Sequence, residues 1–311
     1  MATQKQFEAI TSTIIEACED AIKNGKPAPW HKPWNTPAGN QFPHNAVNGK
    51  RYRGLNVFNL WAVAAKKGYE SQAWLSRKQV KDLGGTVKNG ERYQFIQFWK
   101  FDKVNTGGID SQGEPIIKKV FIFRMYGVFN IEQCENLKLP KREMLDDSPA
   151  DDFDAIAEAE AIADAYIANG GPTLDHNGGD RAFYRPAGHE VHMPKQAQFD
   201  GSEEYYSTLF HELTHSTGHK SLLGRFDEDS GPAHFGSERY SREELVAEFG
   251  NAFLCAEVGI TDKTIDNSAA YIQNWLTALK GDYTLALTAA SRAQKAADLI
   301  LAASETKAEA E

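Results

Sequence analysis

Two histidines and a glutamate stand at metal-binding spacing within residues 211–219, which read HELTHSTGH. On a helix, His211 and His215 lie one turn apart on the same face, so both imidazoles can bind one cation. Glu212 lies beside them and can accept a proton from a water molecule at the metal. The pattern predicts a peptidase site that uses zinc, with manganese or cobalt as alternative ions. The competing interpretation is a solvated helix end that is rich in histidine.

The third metal ligand must come from elsewhere in the chain. His219 follows Gly218, where the helix is expected to end. The longer pattern HExxHxxGxxH fails because Ser221 occupies its last position, and serine is a poor zinc ligand. A glutamate on a later helix is therefore the preferred third ligand, with His219 kept as an alternative.

The run SREELVAEFGNAFLCAE supplies that glutamate. Glu244 is preferred because peptidases with two histidine ligands and one glutamate often carry the ligand in an ExxA context, which Glu244 to Ala247 matches. Glu248 is expected to orient a ligand histidine from behind. Glu248 and Glu243 remain alternatives as the ligand, and Ser241 with Glu244 also fits a helix capping box.

The elements around these motifs indicate an α+β fold with two domains. We predict an N-terminal domain at 1–142, a linker at 143–152 and a second domain at 153–311. The run GHEVHMPK is expected to be an edge strand that pairs with an extended substrate. Other predicted elements are helices at 3–24, 153–168, 202–217, 242–257, 267–280 and 283–303, and a hairpin of YQFIQFWKF with VFIFRMYGVFN.

Charge is distributed unevenly between the halves. Residues 1–142 carry a net charge of +10 and residues 143–311 a net charge of −19. A basic half favours a polyanionic partner, and interleaved aromatic side chains can stack on unpaired bases. Trp61, Phe95 and Phe98 are expected in the core. The predicted DNA-binding residues are Trp30, Trp34, Lys50, Arg51, Tyr52, Arg53, Trp74, Arg77, Lys78, Lys88 and Arg92.

The composition excludes some other classes of protein. The 311-residue chain is 41% hydrophobic, which is typical of a globular protein. No run approaches the roughly 18–20 apolar residues that span a bilayer. The three cysteines are few and far apart, which favours a reducing cytoplasm over a disulfide framework. The N-terminal stretch is typical of an amphipathic helix rather than a secretory signal.

Several runs resemble a known family. PWHKPW, NGKRYRGLNVFNLW and VFNIEQC resemble the N-terminal domain of ArdC-type antirestriction proteins, a domain that also opens plasmid primases of the TraC type. HELTHSTGH and SREELVAEFGNAFLCAE resemble the metallopeptidase domain that follows it. The resemblance implies an N-terminal domain that binds single-stranded DNA and a zincin-like second domain. It also implies metal ligands at His211, His215 and Glu244, with Glu212 as the base.

The function implied by this resemblance is protection of incoming plasmid or phage DNA from host restriction. Its partners would be single-stranded DNA and an unidentified protein substrate, such as a component of a restriction system, with no membrane partner. Two alternatives stay open. One is a single-stranded-DNA-binding protein whose metal site is structural or vestigial. The other is a general peptidase of DNA-bound proteins.

Overall fold

The computed structural model describes residues 4–24, 42–109, 115–139, 155–177, 179–226, 238–260 and 269–308. The predicted linker lies outside these residues. Both halves of the chain mix helices with a sheet, as predicted. The helices are α1 Gln4–Lys23, α2 Leu55–Lys67, α3 Arg77–Asp82, α4 Ala155–Ala168, α5 Ser202–Ser216, α6 Glu238–Val258, α7 Ala269–Gly281 and α8 Leu285–Ala308. The strands are β1 His44–Asn45, β2 Ala73–Ser76, β3 Thr86–Val87, β4 Gln94–Ile109, β5 Pro115–Asn130, β6 Cys134–Glu135, β7 Thr173–Asp175, β8 Phe183–Arg185 and β9 Glu190–His192.

A long hairpin dominates the N-terminal half. Strands β4 and β5 pair antiparallel in a four-stranded sheet of order β1-β2-β5-β4, which confirms the predicted hairpin. Helix α2 lies beside the outer edge of β4. The Asn56 amide exchanges two hydrogen bonds of 2.8 Å with the backbone of Gln97, and the Asn59 amide donates to the Phe95 carbonyl at 2.8 Å. These amides satisfy backbone groups that an edge strand would otherwise leave unpaired.

The C-terminal half contains the five predicted helices and a small sheet of order β7-β9-β8. Strand β9 pairs with β7 on one side and with β8 on the other. The prediction that GHEVHMPK forms an edge strand is therefore wrong, because both of its edges are already hydrogen-bonded. Strand β8 lies at the edge of this sheet and against α5. None of the described helices is long and apolar enough to span a membrane.

One hydrophobic core joins the two halves. Phe58 on α2 stacks on Phe249 of α6, with ring centroids 3.9 Å apart, and also contacts Phe253 at 4.9 Å. Trp61 lies in the same core at 4% exposure, as predicted. Helix α6 therefore belongs structurally to both halves.

Candidate metal centre

The HELTH motif lies on a buried helix. Helix α5 covers Ser202–Ser216, so His211 and His215 are one turn apart as predicted. His211 is 8% exposed, Glu212 is 7% exposed, and Leu213 between the histidines is fully buried. The alternative of a solvated helix end is wrong. Such an end would leave the polar side chains open to water, whereas His211 and Glu212 are buried.

Glu244 completes a group of three ligand atoms with the two histidines. One Glu244 carboxylate oxygen lies 3.5 Å from Nε2 of His211, and the other lies 3.5 Å from Nε2 of His215. Zinc with bonds of about 2.0–2.1 Å separates neighbouring tetrahedral ligands by about 3.3 Å. The separations therefore fit a shared cation better than a strong hydrogen bond, whose length is about 2.9 Å. Among the described residues, this trio is the group with metal-binding geometry.

Two further carboxylates stand behind the histidines. Nδ1 of His211 lies 3.5 Å from Glu248, and Nδ1 of His215 lies 3.6 Å from Glu243. Each imidazole thus faces Glu244 with one nitrogen and an outer carboxylate with the other. Outer carboxylates of this kind fix the ring orientation and raise the basicity of a ligand histidine. Glu248 lies where the sequence placed it, whereas the outer position of Glu243 was not foreseen.

Arg225 holds Glu243 in place, and sequence reasoning missed it. Its guanidinium donates to the Glu243 carboxylate at 2.7 Å, to the Thr214 carbonyl at 2.8 Å and to the Thr217 hydroxyl at 2.6 Å. The Arg225 side chain is 5% exposed. These bonds connect the end of α5 to the start of α6. In the sequence, Arg225 lies six residues after His219 and belongs to no recognised motif, so its role could not be predicted.

The carboxylates outweigh burial in setting the charge of the histidines. Burial alone would lower the pKa of His211, but Glu244 and Glu248 raise it well above its ordinary value. Burial likewise opposes the charged form of His215, and the carboxylates of Glu244 and Glu243 raise its pKa to about 9. The Glu244 pKa is held well below its usual range by the two histidines despite burial. The pocket therefore favours positive charge, which a divalent cation provides.

Close packing of two helices sets these distances. A Cβ atom on Gly250 of α6 would come within 2.4 Å of the Thr214 side chain on α5, so only glycine permits this approach. Helix α6 extends from Glu238, which places Ser241 inside it. The capping-box interpretation of Ser241 and Glu244 is therefore wrong, because a cap must lie at the first turn.

His219 is engaged outside this group. Its ring stacks on His189 at 4.2 Å, and its Nδ1 lies 2.7 Å from the Ser221 hydroxyl. The trio of His211, His215 and Glu244 does not include it. Helix α5 ends at Ser216, two residues before Gly218, so His219 lies beyond the helix that carries the other two histidines.

Comparison with known proteins agrees with this arrangement. Residues 4–129 match the family described as the N-terminal domain of anti-restriction factor ArdC, and residues 161–292 match a zincin-like metallopeptidase family. The metal-free crystal structure of the antirestriction ArdC protein from plasmid R388 superposes with a TM-score of 0.70 at 39% identity, covering 96% of this chain and 98% of that one. The chain belongs to the ArdC family. The Mn(II)-bound structure of R388 ArdC matches at 37% identity with the same TM-score of 0.70, covering 96% of this chain and 97% of that one, and it indicates a divalent metal in the family.

The ArdC-type chain also occurs within larger proteins. Two DNA primases TraC of Escherichia coli are 36% identical over 97% and 93% of this chain. The chain spans only 20% and 27% of the length of those primases. The uncharacterized protein y4eC of Sinorhizobium fredii (strain NBRC 101917 / NGR234) is 34% identical over 94% of this chain and 90% of its own length.

The structure separates the predicted DNA-binding residues into groups. Trp30 and Trp34 lie outside the described residues. Trp74 is fully buried, so its prediction as a stacking residue is wrong because no base can reach its ring. Tyr52 is half-buried against the core, and burial raises its pKa. The remaining predicted cations with exposed side chains and no acidic partner among the described residues are Lys50, Arg77, Lys78, Lys88 and Arg92.

Two predicted DNA contacts form ion pairs with acids, and two predicted core residues need correction. Arg51 pairs with Glu257 at 2.7 Å, and Arg53 pairs with Asp298 of α8. Their charges face acids of the C-terminal half, so these two arginines connect the halves, and their binding of DNA stays a prediction. Phe95 and Phe98 were expected in the core and are instead 37% and 47% exposed, because they lie on β4, at the edge of the sheet.

Proposed function

We propose that this ArdC-type chain binds single-stranded DNA with its N-terminal half and cleaves a protein with a zinc-dependent site in its C-terminal half. Through these activities it protects incoming plasmid or phage DNA from host restriction in the cytoplasm. The observation that carries the proposal is the placement of both Nε2 atoms 3.5 Å from the Glu244 carboxylate, with Glu212 on the same helix. That geometry supports a catalytic metal site with two histidines and one glutamate.

The residues around the trio have separate tasks in peptide hydrolysis. When bound, the divalent ion supplies Lewis-acid polarisation of a peptide carbonyl and lowers the pKa of a water molecule. Glu212 accepts the proton of that water and delivers it to the departing amine. Strand β8 offers its outer backbone edge beside α5, where an extended peptide can add as a further strand.

The DNA half of the proposal is supported by charge, by exposed aromatic side chains and by the family. Residues 1–142 carry a net charge of +10. Four aromatic side chains of the hairpin region are between 37% and 48% exposed, and clustered exposed rings are typical of a surface that binds another molecule. The ArdC relative from R388 is described as an antirestriction protein and the TraC relatives as DNA primases, and both roles involve DNA.

A transfer experiment tests the link between the metal site and protection. An unmodified plasmid is transferred into a restricting host that expresses the wild type, Glu212→Gln or the matched variant Glu203→Gln. We expect wild type and Glu203→Gln to protect the plasmid and Glu212→Gln to fail, with equal protein levels by immunoblot. Full protection by Glu212→Gln would contradict the link between peptide cleavage and protection and would favour shielding of DNA by binding alone.

A further inference from the structure

Two exposed aromatic rings lie together at the base of the β4–β5 hairpin. Tyr93 is 48% exposed and Phe95 is 37% exposed, and their ring centroids are 5.0 Å apart at an interplanar angle of 74°. Both lie on the same side of the sheet, because Phe95 pairs with Gly127 across the hairpin and the Tyr93 ring lies over Gly127. Exposed apolar rings at this density indicate a surface that has a partner.

The Tyr93 ring packs directly against the backbone of Gly127. A Cβ atom at Gly127 would approach two ring atoms of Tyr93 to 2.9 Å, so any side chain there would lift the ring. Gly127 pairs with Phe95 across the hairpin, which places the backbone directly beneath the aromatic pair. The ring is therefore supported from below by the sheet, while about half of its surface remains open to solvent.

Positive charge adjoins these rings. The Arg77 guanidinium lies 5.5 Å from the centroid of Phe129, and the Phe129 ring meets Tyr93 edge-on at 6.2 Å. Arg92 directly precedes Tyr93 and is exposed. Among the described residues, neither arginine has an acidic partner within ion-pair distance. We call Arg77, Arg92, Tyr93 and Phe95 the hairpin platform.

The other face of the hairpin offers a natural comparison. Phe98 and Tyr126 are 47% and 44% exposed, and their rings meet at 6.5 Å. Phe98 is three residues from Phe95 and so points to the opposite face. Arg124 is exposed on that side, but Lys66, near the end of the helix packed there, is paired with Glu16 at 2.8 Å. Both faces are aromatic, and among the arginines that the structure describes the hairpin platform has two without an acidic partner, Arg77 and Arg92, whereas the other face has Arg124.

We propose that the hairpin platform is the site where single-stranded DNA binds, with unpaired bases stacked on Tyr93 and Phe95 and phosphates held by Arg77 and Arg92. The assignment rests on the proposed function, which requires the N-terminal half to bind single strands. Stacking on a flat ring tolerates every base, so the site is independent of sequence. A duplex hides its base faces and gains only the phosphate contacts.

The first test measures binding of a fluorescent oligo(dT) to the full chain by anisotropy. The variant Tyr93→Leu/Phe95→Leu removes the rings but keeps apolar volume, and Phe98→Leu/Tyr126→Leu is the matched control on the opposite face. We expect the first variant to bind at least about tenfold more weakly, as loss of base stacking implies. The control should bind within about twofold of wild type, and thermal melting should show that both variants fold.

A second measurement separates stacking from charge. The affinity for oligo(dT) is recorded against salt concentration for wild type, Tyr93→Leu/Phe95→Leu and Arg77→Ala/Arg92→Ala. Each lost phosphate contact on a single strand lowers the slope by about 0.7, so the arginine variant should lose about 1.4. The ring variant should keep the wild-type slope, because its cations are unchanged.

Gly127→Val provides a third arm in which every residue of the hairpin platform is retained. Displacing the Tyr93 ring from the Gly127 backbone should weaken binding of oligo(dT). The dependence of that affinity on salt concentration should stay the same as in the wild type. Equal losses for the ring variants of the two faces, or an unchanged affinity for Tyr93→Leu/Phe95→Leu, would overturn the assignment of this surface. Failure of the wild type itself to bind oligo(dT) would overturn the DNA half of the proposed function.

Discussion

The metal centre and the hairpin platform hold their side chains in opposite ways. At the metal centre, His211 and His215 each face two carboxylates, and the group lies largely buried between two helices, with the two histidine side chains 10% and 12% exposed. At the platform, Tyr93 and Phe95 are about half-open and touch mainly each other and the sheet beneath. Peptide hydrolysis requires positions fixed before the substrate arrives, whereas stacking on a flexible strand requires access.

Helix α6 connects these two regions. It carries Glu244 and Glu248 toward the histidines and Phe249 toward Phe58 of α2. Helix α2 in turn binds the edge of β4 through Asn56 and Asn59. The shared core of α2 and α6 therefore supports both regions. Its contribution to stability can be tested directly.

The largest expected effect is the loss of this shared core. Phe58→Ala removes a ring that is 1% exposed and should lower the free energy of unfolding by about 3–5 kcal/mol. The halves should unfold in one transition, measured by denaturant titration with circular dichroism. Phe98→Ala, which removes an exposed ring, should change the free energy of unfolding by about 0.5 kcal/mol or less. Two separate transitions in the wild type would contradict a single core.

Arg225 tests whether the buried clamp behind His215 matters. Arg225→Met leaves His215 as the remaining cation beside buried Glu243 and should lower the free energy of unfolding by about 3 kcal/mol, toward the lower end for a broken buried pair. The melting temperature checks this in the metal-free protein. Arg225→Lys, which keeps the charge but not the fork of donors, should recover only part of the loss. A melting temperature equal to wild type would show that the clamp is not needed.

Glu248 tests the outer side of the metal centre. Glu248→Gln should weaken metal affinity by about 10- to 100-fold, because the carboxylate behind His211 no longer raises the basicity of the ring. Competition against a chromophoric chelator gives the affinity. Glu257→Gln alters a half-buried acid on the same helix that pairs with Arg51, away from the histidines, and should leave the metal affinity unchanged. Equal affinities for both variants would mean that Glu248 does not orient His211.

The smallest effect belongs to the exposed contacts between the halves. Arg53→Met removes a pair with Asp298 whose side chains are 63% and 45% exposed. Such pairs contribute about 0–1 kcal/mol, so the unfolding midpoint should barely move. Salt should reduce even that difference. A loss as large as that of Phe58→Ala would mean that charge, rather than the aromatic core, joins the halves.

Local spacing explains why the metal site was predictable. An interval of four residues on a helix places His211 and His215 on one face whatever else the chain does. Glu244 was ranked above its neighbours from its local context, and the packing of α5 on α6 brings it to both histidines. The roles of Glu243 and Arg225 depend on the close approach at Gly250, which is a tertiary contact that no local pattern encodes.

The surface of the N-terminal half was less predictable. Sequence shows which residues are aromatic or basic, but burial depends on which strand pairs with which and where a helix ends. Trp74 is covered because it packs against Leu60 and Ala64 of α2, whereas Phe95 and Phe98 are exposed on the edge strand β4. Arg51 and Arg53 face acids more than two hundred positions away along the chain. The strand order in the C-terminal sheet was unpredictable for the same reason. The position of β9 along the chain does not show that it lies between β7 and β8.

An anomalous-difference map from crystals soaked in zinc or manganese tests the central claim most directly. We expect one peak at about 2.0–2.2 Å from Nε2 of His211, Nε2 of His215 and a carboxylate oxygen of Glu244, with Glu248 beyond bonding distance. The wavelength of the absorption edge identifies the ion. A peak ligated by Glu248 or His219 in place of Glu244, or no peak between the two histidines, would contradict the account.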